Sequence, residues 1–178
     1  MQFKFKHSKI TFNTKAKLVN GLNVTFVFAE DAKSVYQELT KNPQAILVED
    51  LNKLSGLVVH NDTILMSLGA KSKFTSDGLV NVATSLAKFV ASREISEINL
   101  HLTNLHAEKL ALSYAELVEK FLVDFGNGLY YFDDFKSEKT ELKLEKINIV
   151  TDKNIDDILN NIVSIINGLF TVRDLANN

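Results

Sequence analysis

The sequence contains no cysteine and no tryptophan, a single proline (Pro43), and only two arginines, Arg93 and Arg173, among twenty basic residues. Without cysteine there are no disulfides, zinc-thiolate sites, iron–sulfur clusters or thiol nucleophiles. With two guanidinium groups, planar fork recognition of phosphate or carboxylate is scarce. No apolar run reaches the roughly 18–20 residues that a membrane-spanning helix needs. The opening M-Q-F-K-F-K-H-S-K has no apolar core of the kind a secretory signal requires, so the expected compartment is the cytoplasm. A formal net charge of −2 supplies no basic grip for nucleic acid, so binding to DNA or RNA is not expected.

What is present is ordinary globular material. The chain has 178 residues, 46% hydrophobic and 24% charged. A chain of that length forms one domain that buries roughly 70% of its unfolded surface. Strand-like and helix-like periods alternate along it. Phe3 and Phe5, then Ile10 and Phe12, alternate with polar residues as a short opening hairpin would. Asn20-Gly21 is a turn before the β-branched and aromatic run 22–28. Ala32, Val35, Tyr36 and Leu39 recur at helical spacing, and Asn42-Pro43 stops that helix. Residues 44–57 suit either a helix or turns, and strands are expected at 57–59 and 64–68. Thr75 or Ser76 caps a long helix with an apolar stripe from Leu79 to Val90.

Further on, Ile98, Leu100 and Leu102 alternate with Glu97, Asn99 and His101, a strand expected near a sheet edge or a solvated face. Thr103 or Asn104 is the expected cap of a helix striped by Leu110, Tyr114, Leu117, Phe121 and Phe125, which Gly126 and Gly128 would end. Lys146–Val150 is a strand. Asn154 then caps a final helix bearing Ile155, Ile158, Leu159, Ile162, Ile165, Ile166, Leu169 and Phe170. Strands separated by helices imply an α/β fold, a three-layer α/β/α domain with a mixed, largely parallel sheet. The last helix runs to the final residue with neither glycine stop nor polar tail, which leads us to expect the front portion of a longer protein.

Motifs that would carry chemistry are thin. His7, His60, His101 and His106 are the only imidazoles, and none stands at metal-binding helical spacing from another. No G-x-S-x-G elbow exists. Asp133-Asp134, with Asp124 nearby, is the best acidic pair, and adjacent carboxylates in a turn are normally solvated. Asp156-Asp157 suits the positive end of the helix dipole. Gly69-Ala70-Lys71-Ser72-Lys73 follows a strand and precedes a helix, where α/β sheets bind ligands. It has the spacing of neither phosphate-cradling glycine motif, so a plain connecting loop is expected. Gly126-Asn127-Gly128 falls at an expected helix C-terminus, whose dipole repels anions. No catalytic, cofactor-binding or metal-ligating residue is assigned.

Three segments in order resemble the N-terminal domain of the leucyl aminopeptidase (cytosol aminopeptidase) family. Residues 67–75, S-L-G-A-K-S-K-F-T, are similar to that family's G-L-G-K stretch before a Thr-initiated helix. Residues 130–137, Y-Y-F-D-D-F-K-S, resemble its Y-x-F-D-x-Y-K-S segment. Residues 172–177, V-R-D-L-A-N, resemble the A-R-D-L-x-N-x-P entry to the catalytic domain. Ser67 stands where the first motif has glycine, Asn81 where the family has arginine, and Val172 where it has alanine.

The resemblance implies a macro-domain-like accessory domain over 1–170, with 171–178 beginning a linker to a catalytic domain that this chain lacks. It implies a metal-dependent aminopeptidase parent, a hydrolase with two divalent ions (zinc or manganese), assembled as a homohexamer. The parent's metal ligands and catalytic groups belong to the other domain, and Asn13-Thr14 is followed here by lysine rather than by the family's N-T-D-A-E-G-R. The alternative reading is a free-standing macro-like module that binds ADP-ribose or a related nucleotide, and a third is a scaffold used for assembly alone.

Overall fold

The computed structural model describes residues 2–5, 8–15, 21–45, 49–105, 107–130 and 142–177. Within them, period-two alternation produces seven strands: β1 (Gln2–Phe5), β2 (Ser8–Lys15), β3 (Leu22–Val27), β4 (Leu57–His60), β5 (Thr63–Ser67), β6 (Glu97–Leu100) and β7 (Lys146–Val150). They form one sheet in the order β1-β2-β7-β6-β3-β5-β4. The four central pairings are parallel and the two outer ones antiparallel. The expected α/β class with a mixed, largely parallel sheet is what the chain adopts.

Four α-helices connect the strands: α1 (Ala29–Thr40), α2 (Ser76–Ala91), α3 (Tyr114–Leu129) and α4 (Asp156–Asn177). Strand alternation sends Ile10, Phe12, Val24, Phe26, Ile64, Met66, Ile98, Leu100, Ile147 and Ile149 to one face, where they meet the stripes of α2, α3 and α4 in the main core. Phe121 of α3 stands edge-on to Phe26 of β3, with ring centroids 5.3 Å apart. The opposite face carries a smaller core of Val27, Ala32, Leu51 and Leu65, covered by α1. Helices therefore flank both faces, three on one and one on the other. No helix among the described residues is long and apolar enough to cross a membrane.

Local signals set the helix starts. The Thr75 hydroxyl accepts the Gly78 N–H at 3.2 Å, capping α2 as expected. Asn154 accepts the Asp156 N–H at 3.1 Å at the start of α4. Helix α3 departs from expectation. Two 3-10 turns, Leu102–Leu105 and Ala107–Leu110, intervene, and the cap is Ser113 in a reciprocal capping box with Glu116. Leu102 and Leu105 are fully buried, so tertiary packing rather than helical propensity governs that stretch.

Nor do Gly126 and Gly128 end α3, which continues to Leu129. Each allows a neighbour to approach. A Cβ on Gly128 would lie 2.8 Å from Ala87 Cβ and 2.9 Å from Thr84 Cα of α2, and one on Gly126 would lie 2.5 Å from Ile166 Cδ1 of α4. Helix α4 runs unbroken to Asn177, through the residues expected to begin a linker.

Candidate functional site

Chemistry in open α/β sheets gathers at the C-terminal strand ends, at the point where successive connections leave in opposite directions. Here that point lies between β3 and β6, and it is filled. The 3-10 turn Leu102–Leu105 packs its leucines there as part of the main core. His101, directly after β6, donates its backbone N–H to Val24 O at 3.1 Å. Its half-buried imidazole is held below the ordinary histidine value by desolvation, which favours the neutral form.

The Gly69 loop, beside this point, is closed as well. Gly69 adopts φ +70°, and a Cβ there would sit 3.3 Å from Leu54 Cα. Its N–H donates to Ser67 Oγ at 3.1 Å, while Ser67 donates to Leu51 O at 2.8 Å. The Lys71 N–H, the donor an incoming phosphate would use, is held by both carboxylate oxygens of Glu30 at 3.1 Å. Hydrogen bonds from its own backbone and from Lys71 hold the Glu30 carboxyl below its usual range. The loop is a packed connection whose backbone donors at Gly69 and Lys71 are held by Ser67 and Glu30.

The remaining sequence candidates do not converge. His60 lies at the end of edge strand β4, its ring 6.4 Å from that of Tyr36. Asp124 pairs with Lys120 at 3.4 Å within α3. Asp156 and Asp157 occupy the first turn of α4. His7, His106 and the Asp133-Asp134 pair lie outside the described residues, as does most of the second family-like segment. Among the described residues no group of three or more His, Asp or Glu could hold a metal ion. The donor set that a two-cation site requires is not met there.

Two arrangements that sequence reasoning missed are well built. The first is a ladder of amides. Asn13 of β2, Asn148 of β7, Asn99 of β6 and Asn23 of β3 lie side by side in register on the α1 face of the sheet. Asn13 donates to Asn148 at 3.1 Å, Asn148 to Asn99 at 2.8 Å, and Asn99 to Asn23 at 3.1 Å. Asn148 also donates to Glu97 at 2.8 Å. Asn99 and Asn148 are fully buried. This corrects the expectation for residues 97–101: β6 is the central strand, and its polar alternation serves a buried network, not solvent. The only trace in the sequence was an unexplained asparagine in each of four strands.

The second arrangement joins the ends of α3 and α4. The Tyr130 hydroxyl donates to Asp174 Oδ1 at 2.8 Å. Arg173 stacks over the Tyr130 ring at 4.9 Å and donates to Asn127 O at 3.4 Å. Tyr130 also packs against Phe170, and Asn177 donates back to Arg173 O at 2.7 Å. Tyr130 opens the second family-like segment, and Arg173 and Asp174 belong to the third. The fold thus places the first residue of the second segment against the third.

No family model matches the sequence. The chain is 30% identical over 160 residues to a probable cytosol aminopeptidase of Sulfurihydrogenibium sp. (strain YO3AOP1), spanning 80% of this chain and 31% of that protein. It therefore covers about a third of the curated relative's length. Among solved structures it is similar to a tomato leucine aminopeptidase mutant, with a TM-score of 0.73 and 17% identity over 99% of this chain and 40% of the other. The cytosol aminopeptidase of Coxiella burnetii gives a TM-score of 0.58 and 11% identity over 94% and 33%. The bottromycin maturation enzyme BotP gives 0.54 and 13% over 82% and 29%. In sequence and in fold this chain is thus similar to the leucyl aminopeptidase (cytosol aminopeptidase) family, consistent with the N-terminal domain that its three segments resemble.

Proposed function

We propose that this chain acts as the non-catalytic N-terminal domain of a leucyl-aminopeptidase-like metallo-exopeptidase, packing beside a catalytic domain and contributing to a homo-oligomeric, cytoplasmic assembly. The observation that carries the reading is the match to only 31% of a cytosol aminopeptidase by 80% of this chain. In that family the two divalent ions, which polarise a water for peptide hydrolysis, belong to the other domain. No step of that reaction is assigned to a residue here. The contribution of these residues is structural. The Tyr130–Asp174 hydrogen bond and the Arg173 stack hold the end of α4 against α3.

The nucleotide-binding alternative gains no support from the Gly69 loop, where Glu30 already occupies the Lys71 N–H. Hydrolysis of leucine p-nitroanilide with added manganese tests the proposal. The 178-residue chain alone should give no turnover, while its fusion to a leucyl aminopeptidase catalytic domain should be active and elute as an oligomer. Metal-dependent turnover by the chain alone would overturn it.

A further inference from the structure

Helix α4 has an exposed side without charge, on which Ile165 and Val172 stand among the neutral polar residues Asn160, Asn161, Ser164 and Thr171. From Ile158 to Val172 it carries no Asp, Glu, Lys or Arg, although a chain that is 24% charged would place three or four in fifteen residues. Ile165 is 39% exposed and Val172 65%, one above the other two turns apart, with the open Gly168 between them. Exposed apolar groups combined with depletion of charge mark the centre of a protein interface, not a solvated helix.

This side is continuous with a groove of about 380 Å³ between α3 and α4, whose floor is Leu112, Val123 and Ile165. Its α3 wall bears three carboxylates, Glu116, Glu119 and Asp124, against one ammonium, Lys120. That ammonium is already paired with Asp124. From Leu112 to Val123 the wall extends about 16 Å, three turns of helix.

We propose that the α3–α4 groove docks an amphipathic helix of a protein partner, with apolar anchors at i, i+3, i+4 and i+7 and Lys or Arg along the flank that meets α3. The charge distribution selects this occupant. One wall is acidic and the other uncharged, so the complementary surface is apolar in the middle and basic on one side only. A second copy of this chain suits the groove poorly, because two-fold pairing would set acidic walls against each other. The inference is independent of the aminopeptidase reading, since it uses only this chain's own surface.

Two synthetic peptides of about four helical turns test it, identical in their leucine anchors and carrying Lys or Glu on one flank. Fluorescence anisotropy with the 178-residue chain should show the Lys peptide binding at least about tenfold tighter than the Glu peptide. That advantage should shrink at high salt. Glu119→Lys, which leaves two carboxylates facing two ammoniums on the wall, should erase the preference, and Ile165→Asp should abolish binding of both peptides, each with unchanged circular dichroism because the side chains face outward. Val59→Asp, on edge strand β4, should change nothing. Equal affinity for the two peptides, no binding, or indifference to Ile165→Asp would overturn the proposal. So would a wild-type dimer in light scattering that Ile165→Asp dissolves, since it would place a second copy in the groove.

Discussion

Three glycines on two helices give a sharp test of the packing described above, because the same substitution should act with opposite signs. Replacing a helical glycine by alanine gains up to about 1 kcal/mol from backbone entropy alone. At Gly168 nothing lies within 4 Å of the new methyl group, so the whole gain should appear. At Gly128 the methyl would meet Thr84 Cα at 2.9 Å and Ala87 Cβ at 2.8 Å, atoms that no rotamer change can withdraw. Prying α2 from α3 costs about 1–3 kcal/mol as overpacking, for a net loss of up to about 2 kcal/mol. At Gly126 the obstacle is the tip of Ile166, which can turn aside, and gain and loss should nearly cancel.

For a chain of this size each kcal/mol moves Tm by about 2–4 °C. Thermal unfolding followed by calorimetry should thus show Gly168→Ala raised by about 2–4 °C, Gly126→Ala nearly unchanged and Gly128→Ala lowered by up to about 8 °C. A Gly128→Ala variant as stable as Gly168→Ala would refute the close approach of α2 and α3.

Three other variants probe the buried and half-buried polar groups. Asn148→Ala removes three hydrogen bonds in the fully buried part of the ladder and should cost about 1–3 kcal/mol in urea unfolding. Asn13→Ala, at the half-buried end where water can substitute, should cost distinctly less, and equal costs would contradict the network. His101, with its value lowered by burial, takes up a proton less readily folded than unfolded. Stability should therefore fall as pH drops from the ordinary value of 6.5 toward the lowered one. Urea midpoints for wild type and His101→Asn between about pH 7.5 and pH 5 should converge toward acid, and parallel curves would remove His101 as the cause.

The strands and most helices were legible because each buries one face, and burial imposes a period that survives without knowledge of neighbours. Thr75 and Asn154 could be read as helix starts because a cap is a contact within three residues. What could not be read depends on partners far along the chain. Gly126 and Gly128 look like a helix stop until α2 and α4 are known to press against them. Asn99 looks solvent-facing until Asn148, 49 residues away, is found beside it. Leu102 looks like the end of a strand and Leu105 like the first turn of a helix until the space between β3 and β6 claims them. The Tyr130–Asp174 joint, which ties the two family-like segments, spans 44 residues and had no local signal at all.

The asparagine ladder has a consequence for how the chain avoids mispairing. Its four rungs come from positions 13, 23, 99 and 148, in strands that must find one another from remote parts of the sequence. Sliding β3, β6 or β7 by a single residue would present an isoleucine, leucine or valine to a neighbouring amide, sliding β2 would present Phe12 or Thr14, and either would push an asparagine toward the main core. Hydrophobic residues alone tolerate such errors, since one aliphatic side chain replaces another at little cost. Amides that bond to one another across four strands act as a proofreading code, penalising wrong alignments that would break their hydrogen bonds.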